Sequence, residues 1–244
     1  MKNKKSKVIC IIQARVSSTR LPNKVLMDIA GKTCIQRVVE RVKKSKLTSE
    51  IWIATTKLEK DTILKKTSEK NNINFFQGSV NNVLSRFYKI GNKSKPDFIV
   101  RITADCPLVD PNVIDQAIKL IKIKKCDYIS NTFNRTFPDG IDVEVFSMHA
   151  LEKTYKEAKH PFLKEHVTPY MHGLVPKGIK SGKFYVEKFT SRVNYGSYRL
   201  TLDRYEDLNL IRKIYSQLDE FCSWRDVIHF MKKNPSLKKI NEHI

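Results

Sequence analysis

The sequence has little of the cysteine and glycine patterning that marks several large protein classes. Its five cysteines are scattered without a Cys-x-x-Cys pair, so we expect neither a zinc site nor a disulfide framework. Its eight glycines form no Gly-x-Gly-x-x-Gly fingerprint, which leaves dinucleotide binding unsupported. The triplet Gly31-Lys32-Thr33 resembles the end of a P-loop, but Leu26 stands where that motif needs its first glycine. A Walker-type site is therefore excluded.

Long apolar runs are missing as well. The run at residues 8–12 is too short for the core of a signal peptide and is interrupted by Gln13, and no segment approaches membrane-spanning length. We therefore expect a soluble, cytoplasmic protein without membrane insertion. Because no linker or low-complexity stretch divides the chain, we predict one domain over residues 1–244, with a protruding subdomain.

Acidic residues are scarce relative to basic ones. The chain has 46 lysines and arginines against 25 aspartates and glutamates, which gives a formal net charge of +21. Such a charge attracts nucleic acids, anionic membranes or small anionic substrates, although a lysine bias in the coding sequence explains it equally well. Neither a helix-turn-helix pattern nor the interleaved aromatic and basic motif of an RNA-recognition domain is present, so we expect no specific nucleic acid partner.

The alternation of strand-like and helix-like segments predicts an α/β protein. We expect three αβα layers around a mainly parallel sheet. Strands are predicted at residues 8–12, 51–55, 74–76, 98–102, 128–130, 141–146, 183–189 and 198–202, the sixth of them half-exposed. Helices are predicted around residues 35–42, 61–70, 83–88, 111–121, 205–218 and 224–231. In the first helix one stripe is apolar, and the residues expected to face water are Arg37, Glu40, Arg41, Lys43 and Lys44.

The segment at residues 14–24, called the anion loop below, is the clearest candidate for a binding site. It follows the first strand and contains three cations and three hydroxyls, namely Arg15, Arg20, Lys24, Ser17, Ser18 and Thr19. Such groups at the carboxyl end of a strand orient a polyphosphate in open α/β sheets. The alternative is a solvated basic turn.

Two acidic residues follow predicted strands in the same way. Asp105 comes just after residues 98–102, and Asp203 just after residues 198–202. Opposite a phosphate site, one or two carboxylates are the usual protein ligands of Mg²⁺. For Asp105 the alternative is a cap at the start of the next helix.

The anion loop and its continuation to Lys32 closely resemble the N-terminal signature of the CMP-sugar-acid synthetases, above all CMP-Kdo synthetase. Further blocks of the same family are similar to residues 54–55, 104–107 and 203–208. The spore-coat-polysaccharide type of cytidylyltransferase resembles the chain most, through residues 138–146, 165–170 and 199–203. This resemblance implies a glycosyltransferase-A-like nucleotidyltransferase that uses CTP and Mg²⁺, often as a dimer, and we expect a homodimer.

The resemblance and the residue types together give each candidate a role. Lys24, Arg15 and Asp105 are expected to be catalytic, and Asp105 and Asp203 to hold Mg²⁺. The nucleotide-binding residues are expected to be Ala14, Arg15, Ser17, Ser18, Arg20, Lys24, Thr55 and Arg101. The acceptor-binding residues are expected to be Arg86, Asp142, Glu144 and His166, with residues 135–195 forming an acceptor-binding or dimerisation subdomain.

The predicted reaction is the transfer of CMP from CTP to an acidic sugar of the nonulosonate or Kdo-like class, with release of pyrophosphate, in surface polysaccharide or glycan biosynthesis. One alternative is a transferase that acts on a phosphorylated acceptor and makes a CDP-compound. A second alternative, from another class, is a basic nucleic-acid-binding protein without enzymatic activity.

Overall fold

The first strand, Val8–Gln13, lies at the centre of the fold, with the side chains of its first five residues completely buried. The computed structural model describes residues 6–244, so the basic start of the chain at residues 1–5, including that end of the predicted domain, lies outside the described part. The strand is buried because it pairs on both edges and packs on both faces. Such a strand reads as a continuous apolar run instead of an alternating one.

Nine strands are present in the described residues. In chain order, β1 to β9 are Val8–Gln13, Asp28–Ile29, Lys32–Thr33, Glu50–Thr56, Asn74–Gly78, Phe98–Thr103, Tyr128–Ser130, Glu144–Ser147 and Val186–Lys188. Seven form one sheet in the order β5-β4-β1-β6-β8-β7-β9, while β2 and β3 pair separately. Within the large sheet, only β8 runs antiparallel to its neighbours β6 and β7.

Helices cover both faces of the sheet. In chain order, α1 to α9 are Cys34–Val42, Leu64–Asn71, Val83–Ser94, Pro111–Lys124, Met148–Glu157, Pro161–His166, Pro169–His172, Tyr205–Gln217 and Trp224–Lys233, and short 3₁₀ turns lie at Lys24–Leu26, Glu59–Ile63 and Pro235–Ile240. Alternate β1 side chains enter two cores, one shared with α1, α4, α8 and α9, the other with α3 and α5. The predicted three-layer αβα fold is confirmed. No helix within residues 6–244 is long and apolar enough to cross a membrane.

The prediction that the polar face of α1 lies in water is wrong for its two arginines. Arg37 is 5% exposed and Arg41 is 1% exposed. Arg37 donates to the carbonyls of Ile29 and Ala30, and Arg41 donates to the carbonyls of Val109, Glu220 and Cys222. Their guanidinium groups satisfy backbone oxygens of distant segments, which makes burial of these charges tolerable.

Three further predictions of local structure need correction. The predicted strand at residues 141–146 forms only as β8, Glu144–Ser147, and is buried instead of half-exposed because β6 and β7 flank it. Residues 198–202 are not a strand and form a single bridge between Asp139 and Arg199. The predicted helix at residues 61–70 is a 3₁₀ turn followed by α2, and residues 183–189 contribute only the three-residue edge strand β9.

Candidate active site

The anion loop leaves the carboxyl end of β1 and is anchored by buried backbone bonds. The N–H of Ala14 donates to the carbonyl of Ala54 on β4 at 3.1 Å, and the N–H of Val16 donates to the Asp61 carboxylate at 2.7 Å. The side chains of Val16 and Leu21 are buried. The loop is therefore fixed from below, while its polar side chains line a cavity above, namely Arg15, Ser17, Ser18, Thr19, Arg20 and Lys24.

The ammonium group of Lys24 lies between the two carboxylates predicted to hold a metal. Its Nζ is 2.7 Å from Oδ2 of Asp105 and 2.9 Å from Oδ1 of Asp203. Nε of Arg20 is 2.7 Å from the other oxygen of Asp203. The structure thus brings the anion loop together with Asp105 and Asp203, although these two acids lie about a hundred residues apart in the sequence.

Two chain segments bring Asp105 and Asp203 to this point. Asp105 follows β6, and its carbonyl accepts a bond of 2.7 Å from the N–H of Leu202. The N–H groups of Asp203 and Arg204 donate to the buried carboxylate of Asp207 at the start of α8. Asp105 is not a helix cap, since Asp110 caps α4 instead.

The ion pairs set the charge states of Lys24 and Asp105. Burial alone would lower the pKa of Lys24, but the neighbouring Asp105 and Asp203 carboxylates raise it above its ordinary value. Burial alone would raise the pKa of Asp105, but the Lys24 ammonium holds it below its ordinary value. Both groups therefore stay charged near neutral pH.

The first cavity has a volume of about 260 Å³. Its predicted lining residues are those of the anion loop with Arg86, Asp105, His166 and Asp203. It also includes residues to which the sequence analysis assigned no binding or catalytic role, namely Gln13, Thr103, Ala104, Val25, Val83 and Glu165. Cations on several sides and hydroxyls on one side make it suitable for a polyanionic ligand.

A second cavity of about 330 Å³ adjoins the first, because Thr103 and His166 line both. It contains Arg101, Asp142 and Glu144 from the predicted set, together with Thr132, Arg135, Phe162, Thr168, Pro169 and His172. Antiparallel β8 explains the position of Glu144, which is the first residue of that strand and lies in register with Arg101 on β6.

The acids of the second cavity are paired with arginines. Asp142 accepts two bonds from Arg135, one of them 3.0 Å long. Glu144 pairs with Arg101 and also accepts from Tyr128 at 2.5 Å and Thr168 at 2.7 Å. Burial would raise the pKa of Glu144, but Arg101 holds it below its ordinary value, whereas burial raises the pKa of Asp142.

Three predicted residues lie apart from most of the residues predicted for the same role. Arg101, expected near the nucleotide, lines the second cavity, although its Nε bonds Gln13 of the first at 3.1 Å. Arg86, expected near the acceptor, lines the first cavity and is 1% exposed. Thr55 is completely buried and lines neither cavity, and its hydroxyl has no hydrogen-bond partner among the described residues.

Sequence reasoning did not identify Asp61, Arg135 and His172. Asp61 is completely buried beneath the anion loop, and the sequence carried no signal for that contact. Arg135 lies seven residues before its partner Asp142, and an arginine so close to a predicted acceptor-site acid was a usable signal. His172 packs edge-on against Phe133, with ring centroids 4.9 Å apart, and burial lowers its pKa.

The protein residues of the first cavity would supply only some of the ligands that a divalent cation needs. Among residues 6–244 there is no cluster of three or more histidine, cysteine or acidic side chains suited to a metal. Asp105 and Asp203 nevertheless converge on one cation, the Lys24 ammonium. Two carboxylates completed by phosphate oxygens and water are the usual environment of protein-bound Mg²⁺.

Comparison with known proteins identifies relatives over almost the whole chain. A cytidylyltransferase family model matches residues 9–229. An uncharacterized protein of Methanocaldococcus jannaschii is 36% identical over 239 residues, covering 98% of this chain and 96% of that protein. Spore coat polysaccharide biosynthesis protein SpsF of Bacillus subtilis is 33% identical over 238 residues, covering 93% and 95%.

Solved structures of similar architecture point in the same direction. A cytidylyltransferase from Leptospira borgpetersenii superposes with a TM-score of 0.88 at 32% identity, covering 95% of this chain and 96% of that one. CMP:2-keto-3-deoxy-manno-octonic acid synthetase complexed with CTP has a TM-score of 0.63 at 16% identity, covering 87% and 99%. The second likeness concerns the fold alone.

Proposed function

We propose that this chain, which belongs to the cytidylyltransferase family and is a CTP-dependent nucleotidyltransferase, transfers CMP to an acidic sugar of the nonulosonate or Kdo-like class. The product would be a CMP-sugar for surface polysaccharide or glycan biosynthesis, made in the cytoplasm. The observation that carries the proposal is the Lys24 ammonium between Asp105 and Asp203, at the wall of a cation-lined cavity. In this proposal Lys24 contacts a phosphate of CTP, and the two carboxylates beside it would hold the metal.

The proposed reaction is an in-line displacement at the α-phosphorus of CTP. A hydroxyl oxygen of the acceptor forms a bond to this phosphorus, and the bond from phosphorus to the oxygen shared with the β-phosphate breaks. Pyrophosphate leaves with the electron pair. Because such transfers depend on positioning and charge neutralisation, cations that bind the phosphates supply much of the rate acceleration.

Residues of the first cavity divide the work on the nucleotide. Arg15 and Arg20 bind the triphosphate, and Ser17 and Ser18 donate hydrogen bonds to it, beside the backbone of Ala14. Lys24 neutralises charge that develops at the α-phosphate, because its raised pKa keeps it protonated. Asp105 and Asp203 would hold Mg²⁺, which when bound neutralises phosphate charge.

Residues of the second cavity bind the acceptor in this proposal. Arg135 and Arg101 are fixed by Asp142 and Glu144, and a bidentate arginine suits the carboxylate of an acidic sugar. In this proposal His166, which borders both cavities, takes the proton from the attacking hydroxyl. Arg86, from its position, serves the nucleotide more than the acceptor.

A pyrophosphate-release assay tests the proposal. The four nucleoside triphosphates are each combined with Mg²⁺ and a panel of sugar acids, nonulosonates and sugar phosphates. We expect release with CTP and an acidic sugar only, and release slower by roughly a hundredfold to a thousandfold in the Lys24→Ala variant, whereas the exposed Lys65→Ala variant serves as the matched control.

The mass of the product separates the alternatives. A CMP-ester supports the proposal, and a CDP-compound identifies a phosphorylated acceptor instead. Salt-sensitive RNA binding without any CTP-dependent release of pyrophosphate would favour the nucleic-acid-binding alternative. Sedimentation of the purified protein tests the proposed homodimer. Sedimentation of variants that lack loops within residues 135–195 tests the proposed role of that region in dimerisation.

A further inference from the structure

We infer that Asp61 is a positioning residue that sets the conformation of the anion loop for the nucleotide. This inference rests on the proposed role of the anion loop as the CTP site. Asp61 lies in the 3₁₀ turn Glu59–Ile63 that follows β4, and its side chain is completely buried. A buried carboxylate is costly unless its oxygens are satisfied, so its contacts show what it holds in place.

One oxygen of Asp61 holds the anion loop. Oδ1 accepts the bond of 2.7 Å from the N–H of Val16. Val16 lies between Arg15 and Ser17, whose side chains line the first cavity, while the Val16 side chain is directed into the core. The bond therefore fixes the backbone of Val16, whose side chain is buried, between two residues whose side chains face the cavity.

The other oxygen of Asp61 joins the loop to the sheet. The hydroxyl of Thr56, at the end of β4, donates to Oδ2 of Asp61 and accepts from the N–H of Leu58 at 3.2 Å. A continuous chain of hydrogen bonds thus runs from β4 through Asp61 to Val16. Small displacements of groups that bind a reacting substrate reduce catalysis strongly, so a rigid anchor of this kind has a direct effect on the site.

The charge of Asp61 also lies close to the cations that face the cavity. Burial and the neighbouring Arg15 lower the pKa of Arg86 to about 10, and Asp61 opposes this change. Asp61 therefore contributes to the electrostatic environment of Arg86, which lines the first cavity. Two substitutions of Asp61 separate the effect of its charge on CTP binding from the effect of its hydrogen bonds.

Calorimetric titration of CTP into the metal-free protein measures the effect without using turnover. Asp61→Asn keeps an oxygen that accepts from Val16, and we expect CTP affinity within about threefold of the wild type. Asp61→Ala removes both bonds, and we expect affinity to fall by roughly tenfold to a hundredfold, as for displaced binding groups. The matched control is Ser68→Ala, which removes the hydrogen bond from a buried serine to the carbonyl of Lys65 within α2 and does not reach the loop.

The outcomes separate this inference from the proposed function. If the wild type binds no CTP, the assignment of the anion loop fails. If the wild type binds CTP and Asp61→Ala binds within about threefold of it, or if Asp61→Asn loses as much as Asp61→Ala, positioning by Asp61 is overturned. Should Asp61→Ala not fold, Thr56→Val breaks the same chain one step earlier and must weaken CTP binding more than Ser68→Ala does.

Discussion

The two adjoining cavities compensate their charges in different ways. In the first, one lysine bridges two carboxylates, and the side chain of Arg20 remains 64% exposed although it touches Asp203. In the second, Arg101 pairs with Glu144, and Arg135 pairs with Asp142 and, at 3.3 Å, with Asp139. The first arrangement suits a ligand of high negative charge. The second suits exchange of one carboxylate partner for another, which selects a ligand by geometry more than by charge.

The largest expected effect comes from breaking the bridge in the first cavity. Lys24→Ala or Asp105→Asn should lower turnover by roughly a hundredfold to a thousandfold, because the first removes the cation proposed to stabilise the α-phosphate and the second removes a proposed ligand of Mg²⁺. The rate of pyrophosphate release at saturating CTP and Mg²⁺ measures this. The control Lys65→Ala removes an exposed lysine of α2 whose ion pair, with Glu69, lies on the surface. Turnover close to that of the wild type in either variant would remove that residue from the mechanism.

A smaller effect is expected from the second cavity. Arg135→Ala should raise KM for the acidic acceptor by roughly tenfold, since a bidentate contact is lost, while KM for CTP stays within about twofold. Steady-state kinetics with each substrate varied in turn measure the two constants. Arg192→Ala, an exposed arginine, is the matched control. Equal changes in both KM values would mean that the cavities do not serve different substrates.

The smallest effect concerns the pH dependence of stability and involves His172. Its pKa in the folded protein lies below the ordinary 6.5, chiefly because of burial; Glu144 opposes this shift and Arg101 adds to it. The unfolded chain therefore binds the proton more readily, so stability is lost as the pH falls below 6.5 towards the folded pKa. His172→Gln should reduce this loss.

Urea unfolding at pH 7, 6 and 5 compares the free energy of unfolding of the wild type and His172→Gln. The exposed His149→Gln serves as the control. If His172→Gln and the wild type lose the same stability between pH 7 and pH 5, His172 does not contribute to this pH dependence.

The parts of the molecule that were predicted from sequence are those with local patterns. β1 appears as a continuous apolar run, and the apolar stripe of α1 appears at helical spacing; both are present as predicted. The positions of the anion loop and of Asp105 follow from β1 and β6, the strands that they succeed, whereas the strand predicted before Asp203 does not form. Here each signal lies within about ten residues of the structure that it predicts.

The parts that were not predicted depend on contacts between distant segments. The partners of Arg41 on the C-terminal part of the chain lie 179 and 181 residues away, so its burial has no local signature. Residues 198–202 have a strand-like pattern, yet their backbone bonds go to Asp105 and Asp139 instead of a neighbouring strand. Asp61 is joined to Val16 across 45 residues. Such polar contacts follow from the packing of the whole chain.

The wall shared by the two cavities has a consequence for inhibitor design. Thr103 and His166 border both, so the proposed nucleotide site and the proposed acceptor site lie next to each other. A single compound with a cytidine phosphate at one end and a carboxylate at the other would need only a short linker across this boundary. Its second group would bind at the high effective concentration that such a linker provides, so its affinity would exceed that of either half alone.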